Sequence, residues 1–134
     1  MKNVRGYIFS RPFMGERVPQ HVQNLVIRDY CERNKLQYLL SATEYAMPGC
    51  HLILEQVIDE LANIDGLVAY SLFQLPEDPQ RRQKVYDHAI SRSNGKSLHF
   101  AVEGLRVTTG SECERIETIW QIRQTLPRCP QHVA

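Results

Sequence analysis

No run of about 18 apolar residues occurs anywhere in this chain, so the sequence predicts no transmembrane helix. Charge of one sign is missing too. Sixteen Lys and Arg stand against 15 Asp and Glu, a formal net charge of +1, and no basic stretch stands out. That excludes strong non-specific attraction to nucleic acid as a design feature. Cysteine is sparse: Cys31, Cys50, Cys113 and Cys129 are widely separated, with no C-x-x-C pair. A secreted disulfide scaffold would be shorter and denser in Cys. No Cys or His pair has metal-finger spacing, so neither a metal nor a cofactor is expected. Met1 to Arg5 shows no apolar leader before the chain turns polar at Ser10-Arg11. Repeats and low-complexity tracts are absent. The expectation is a cytoplasmic protein with reduced thiols. With 134 residues, 43% apolar and 23% charged, the chain suits one core.

Apolar runs and helical periodicities alternate along the chain. Val4–Phe9 reads as a strand buried on both faces. Pro19 suits a first helical turn, and Val22, Leu25, Val26 and Tyr30 recur at helical spacing to about Asn34. Leu36–Leu40 is a short strand, and Ser41–Gly49 a loop rich in functional groups. Leu54, Val57, Ile58 and Leu61 mark a helix from about Cys50 to Ala62. Leu67–Leu72 is the most apolar strand, and Phe73–Pro79 a loop with two prolines. Pro79 opens a third helix on Val85, Tyr86, Ala89 and Ile90, stopped by Asn94-Gly95. Leu98–Val102 is a fourth strand, and Glu103–Gly110 a loop. A last helix, capped by Ser111 with Glu114 as capping-box partner, carries Ile116, Ile119, Trp120 and Leu126 and ends at Pro127. The domain spans 1–126, with a short tail over 127–134. This alternation predicts a three-layer, doubly wound α/β fold: about four strands, mainly parallel, with helices on both faces.

Ligands of such sheets bind beyond the carboxyl ends of the strands, near the switch in strand order. That edge collects Ser10, Arg11, the 41–49 loop, the 73–78 loop and the 103–109 loop. Four residues there are catalytic candidates. Ser10 is a nucleophile, a hydrogen-bond donor to an anion, or merely the end of a strand; attack requires a base nearby. His21, near a helix start, is either that base or a solvated histidine. Cys50 sits at a helix start, where the dipole favours a thiolate; the alternative is an inert packed thiol. Glu44 is a general acid or base, or a capping carboxylate. Arg11, Arg17 and Arg106 fall on converging loops and would bind a phosphate or a sugar-acid carboxylate. Gln20, Tyr45, Gln74 and Glu103 complete the expected ligand set.

Longer runs carry a resemblance. Gly6-Tyr-Ile-Phe-Ser10, Gln20–Cys31, Asp65–Leu75 and Phe100-Ala-Val-Glu-Gly-Leu105 resemble the serine recombinase (resolvase and invertase) catalytic domain. The resemblance implies that fold, with Ser10 in the place of the nucleophilic serine. The phosphate-binding arginines do not carry over. Ile8 stands two residues before the serine, Phe73-Gln-Leu-Pro-Glu77 replaces the Asp-Arg-Leu-x-Arg signature, and Gly49-Cys50-His51 replaces the arginine opening the second helix. Each lost preorganised donor removes about 3–4 kcal/mol of transition-state stabilisation, so strand cleavage and DNA binding are not expected.

A second resemblance rests on Arg5–Arg11, Arg17–His21, Thr43–Cys50, Ser71–Glu77 and His99–Gly104. These runs resemble a small family found sporadically in bacterial gene clusters for surface carbohydrates. The resemblance implies a setting, polysaccharide or unusual-sugar biosynthesis, without a reaction. The expected ligand is an anionic or nucleotide-linked sugar; the alternative is a non-catalytic oligomeric interaction or regulatory protein. In the recombinase relatives the last helix joins subunits, so the stripe Ile116, Ile119 and Trp120 is the expected surface of a homo-oligomer.

Overall fold

The architecture comes from a computed structural model, which describes residues 1–91 and 96–125. The expected stops at Asn94-Gly95 and Pro127, the end of the last helix at Leu126, the 127–134 tail and Cys129 lie outside the described residues.

Five strands form one sheet in the order β2-β1-β3-β4-β5: β1 (Lys2–Phe9), β2 (Leu36–Glu44), β3 (Gly66–Ala69), β4 (Ser97–Phe100) and β5 (Leu105–Val107). The first four are parallel, and β5 returns antiparallel to β4. The expected count of about four strands is one short. Three residues of β5 are too few to show an alternation in sequence, so that stretch reads as loop. Ser41–Glu44 also belongs to β2 rather than to the loop. The pairing with β1 is irregular between Arg5 and Tyr7, where β2 runs one residue longer from Leu39 to Ala42.

Among the described residues, three α-helices connect successive parallel strands, α1 (Gln20–Arg33), α2 (Leu52–Glu60) and α3 (Pro79–Ser91), and a fourth, α4 (Gly110–Thr125), follows β5. Strand side chains alternate between the two faces. Val4 and Ile8 of β1 pack with Ile27, Tyr30 and Cys31 of α1. Tyr7 and Phe9 turn to the opposite face, into the larger core with α2, α3 and α4. The order reverses at β1, since β2 lies on one side and β3 on the other. The carboxyl end of β1 is therefore the switch point.

Two helix faces differ from expectation. On α1 the buried set is Gln23, Ile27, Tyr30 and Cys31, while Leu25 is largely exposed. Gln23 turns inward because its amide clamps the backbone of β1: Oε1 accepts from Phe9 N at 3.0 Å, and Nε2 donates to Phe9 O at 2.8 Å. The last helix begins two residues earlier than Ser111 and Glu114 suggest. Glu112 Oε1 accepts from the backbone N–H groups of Thr108 and Thr109 at 2.8 and 3.1 Å.

The stripe on α4 is not an exposed subunit surface. Ile116 and Trp120 are both 1% exposed within the core, and Ile119 packs against it. A buried guanidinium draws the helix in. Arg82 forms a two-point ion pair with Glu117 at 2.7 and 2.8 Å, donates to the carbonyls of Pro76 and Glu77, and lies 4.3 Å over the Trp120 ring. Tyr86 OH donates to the same Glu117 carboxylate at 2.7 Å. The single chain thus covers an apolar stripe that sequence alone leaves without a partner.

On the α1 face a polar chain crosses the core. His99 Nδ1 is 2.7 Å from Tyr30 OH, and Nε2 is 2.7 Å from Ser97 Oγ. Burial, with lesser effects from Arg106 and Lys2, holds its pKa down at about 4.

Two outcomes follow. Truncating Trp120→Ala should lower unfolding free energy by about 3–5 kcal/mol, read by urea titration. An unchanged midpoint would return Trp120 to the surface. His99 is neutral when folded and takes up a proton more readily when unfolded. Stability should therefore be full above about pH 6.5 and fall as pH drops towards about 4, by up to about 3 kcal/mol. His99→Asn should flatten that part of the pH–stability curve; an unaltered slope would assign it to other groups.

Candidate functional site

Beyond the carboxyl ends of β1 and β2, the chain gathers several of the expected residues around one carboxylate. Glu44 ends β2 and is almost wholly buried, facing the first turn of α2. Its Oε1 accepts from Tyr7 OH at 2.8 Å and Leu54 N at 3.1 Å. Its Oε2 accepts from Tyr45 N at 3.0 Å, Ile53 N at 3.1 Å and the Cys50 thiol at 3.7 Å. Burial pushes the Glu44 carboxyl upward, but the N–H groups of Ile53 and Leu54, then Tyr7 and Tyr45, outweigh it and hold it below the usual carboxylate range. Tyr7 is raised by its own burial and by the adjacent carboxylate, and stays a phenol. Glu44 thus caps the first turn of α2, the capping alternative to a general acid or base, and its contacts favour the carboxylate form.

Ser10 follows β1, half-buried, and its Oγ donates to Glu44 O at 3.1 Å. Among the described residues no guanidinium donates to that hydroxyl and no base accepts from it. Arg11 turns away: its guanidinium lies 4.2 Å over the Phe9 ring, and Nη1 donates to Tyr45 O at 2.7 Å. Tyr45 itself is exposed. Ser10, Arg11, Glu44, Tyr45 and Cys50 therefore share one neighbourhood, as expected. Cys50 Sγ is engaged by the Glu44 carboxylate.

His21 does not join them. Gln23 points into the core, and His21, two positions earlier and about 200° around the helix, points to solvent. It makes no hydrogen bond with Ser10, so the Ser–His pairing does not form. Gln20 and Arg17 are exposed beside it. Arg106 lies on β5, opposite His99. Three strand spacings of about 4.8 Å separate it from β1, at the opposite edge of the sheet from β2. Gln74 is fully buried: Nε2 donates to Gln23 Oε1 at 2.8 Å, and Oε1 accepts from Ser71 N at 3.4 Å. Glu103 accepts from Ser71 Oγ at 2.8 Å and Leu72 N at 3.0 Å. Both hold the turn after β3; Gln74 is enclosed there, whereas Glu103 remains half-buried.

His51 is the residue that sequence reasoning passed over. It precedes α2, is 6% exposed, and tilts against Phe9 with ring centroids 5.8 Å apart. Nε2 is 3.1 Å from Gln74 O, and Nδ1 is 3.3 Å from Gly49 O. Burial lowers its pKa; the two carbonyls oppose that, and the positive charges of Arg11 and Arg81 add to it. Arg81 arrives from α3, its Nη1 donating to Gly49 O at 3.2 Å. His51, Arg81 and Lys84 line a groove of about 360 Å³ between α2 and α3, with Glu55, Asp59 and His88 further along. The sequence shows Arg81 and Lys84 at helical spacing, but Arg81 lies thirty positions after His51, and only the packing of α3 on α2 joins them.

The three described cysteines, Cys31, Cys50 and Cys113, are free thiols. Burial pushes Cys31 and Cys113 up to about 11. No helix among the described residues is long and apolar enough to cross a membrane. Replacing Glu44 with Gln would turn amide hydrogens towards N–H groups in a buried seat. Glu44→Gln should lower stability at pH 7 by about 2–3 kcal/mol in urea titration. A loss below about 0.5 kcal/mol would show that the cap is dispensable.

No protein-family model matches this chain, and no curated protein matches it either. Neither comparison therefore lends support to the likeness to carbohydrate-cluster proteins. Solved structures do match. The N-terminal catalytic domain of TP901-1 integrase aligns at a TM-score of 0.60 and 15% identity, over 90% of this chain and 94% of that one. A resolvase family site-specific recombinase from Streptococcus pneumoniae aligns at a TM-score of 0.54 and 9% identity, over 90% of this chain and 88% of that one. At these identities the likeness is one of fold: a five-stranded, mostly parallel α/β sheet of the serine recombinase catalytic-domain type.

Proposed function

We propose that this chain binds an anionic or nucleotide-linked sugar and does not cleave DNA. One observation carries the reading. The guanidinium groups of Arg11 and Arg81 both bear on buried His51, and neither they nor Lys84 has a carboxylate partner among the described residues. Uncompensated guanidinium groups at the ligand-binding edge of an α/β sheet suit a phosphate or carboxylate. The anion site expected from Arg11, Arg17 and Arg106 is redrawn as Arg11, Arg81 and Lys84. The setting we propose, surface-carbohydrate biosynthesis, rests on the sequence runs alone.

The absence of strand cleavage is argued from charge. Phosphodiester attack needs donors around the phosphate and a route for the serine proton. Ser10 Oγ gives its hydrogen bond to a backbone carbonyl, and the adjoining seat at the start of α2 is filled by Glu44.

A second reading, an oligomeric interaction protein, is favoured by Tyr45, Met47 and Leu52, which leave apolar surface exposed along the β2–α2 connection. Any such surface would replace the α4 stripe, which is covered.

Thermal-shift measurements with nucleotide sugars, sugar phosphates and sugar acids test the first reading. Stabilisation should appear with at least one class and disappear in Arg11→Ala and Arg81→Ala. No shift with any of these anions, together with dimers in light scattering that dissociate in Met47→Glu, would favour the second. Incubation with supercoiled plasmid should give neither nicks nor a covalent Ser10 adduct; either product would reinstate recombinase chemistry.

A further inference from the structure

The groove between α2 and α3 is polarised along its length, and that polarity specifies more than an anion. Both helices run antiparallel to the strands they follow, so their N-termini lie together at the carboxyl edge of the sheet. Their positive dipole ends point to one mouth. His51 immediately precedes α2, while Arg81 and Lys84 occupy the first two turns of α3. The far end is different in kind. Asp59 Oδ1 lies 2.9 Å from His88 Nε2, a pair reaching from α2 to α3. Beyond it begins a separate hollow that also includes Lys96. Glu55 stands between the mouth and this pair, exposed, with no salt bridge among the described residues. Leu54, Ile58 and Val85 supply an apolar floor.

We infer that this groove takes a monosaccharide phosphate, its phosphate at Arg81 and Lys84 and its hydroxyls donating to Glu55 and Asp59. The inference rests on the anion reading above and narrows it. Four features favour that ligand over an anion alone or a nucleotide sugar. Carboxylates in an anion site are repulsive unless the ligand also brings donors, and sugar hydroxyls are donors. Seven residues separate Arg81 from His88, about 10 Å of helix, which is the reach of one hexose phosphate. No Phe, Tyr or Trp lines the groove, so the large aromatic faces that best hold a nucleobase are missing, and of its two imidazoles His51 is 6% exposed and packed against Phe9. The apolar floor suits the C–H face of a pyranose.

Isothermal titration calorimetry at pH 7, with inorganic phosphate, a panel of hexose 1- and 6-phosphates, and UDP-glucose, tests this. At least one hexose phosphate should bind at least tenfold more tightly than inorganic phosphate and more tightly than UDP-glucose. Glu55→Gln and Asp59→Asn, both exposed changes, should each reduce that preference at least threefold while inorganic phosphate binds as well as before or more tightly. Arg81→Ala should weaken both ligands more than tenfold. Equal affinity for phosphate and every hexose phosphate, or tighter binding of UDP-glucose, overturns the sugar-phosphate assignment while the anion reading stands. Failure of all these phosphates to bind overturns the assignment, and the anion reading then rests on sugar acids alone.

Discussion

Everything at the switch point depends on where the Glu44 carboxylate sits. One side chain draws together the second strand, the first strand through Tyr7, and the start of the second helix through Ile53 and Leu54. A buried carboxylate with five donors around it is stable as an anion and has little tendency to accept a proton. The helix start that could have received a ligand's phosphate therefore already holds an internal anion. That arrangement favours the carboxylate form of Glu44. It also constrains the neighbouring connection, because Tyr45 N and Cys50 Sγ both return to the same carboxylate.

A second polar system does the equivalent work beneath the turn after the third strand. Gln23 clamps the backbone of Phe9, Gln74 donates to Gln23, and Glu103 holds Ser71 and Leu72. Where the recombinase resemblance places arginines facing a phosphate, this chain has a neutral amide spent on internal hydrogen bonds. Buried amides require such partners, since leaving them unmet costs more than the bonds return when made. The turn after the third strand is thus held at the switch point by internal hydrogen bonds between neutral side chains and backbone.

Positive charge lies beside the switch point at Arg11 and on the third helix at Arg81. Arg11 is held by Tyr45 O and the Phe9 ring, and Arg81 by Gly49 O, each through contacts that leave its charge unneutralised. Arg82, one residue on, has the opposite fate. It is buried and completely satisfied by Glu117 and two carbonyls, and it fixes the last helix to the third. Adjacent arginines thus serve packing and surface chemistry, because successive side chains on a helix point about 100° apart.

The sequence by itself determined the α/β alternation, the parallel core and the positions of the helices, since apolar periodicity is a local property that burial enforces residue by residue. It also determined that Ser10, Arg11, Glu44 and Cys50 would meet, because strand ends and the loops that follow them share one edge. The tertiary structure alone decided the rest. Whether Glu44 caps a helix or moves protons depends on N–H groups nine and ten residues away. Whether Trp120 faces a partner or the core depends on Arg82 in another helix. Whether Arg106 reaches the site depends on a three-residue strand that reverses direction and carries it to the far side of the sheet. Each of these is a relation between distant segments, and composition and spacing within one segment carry no information about it.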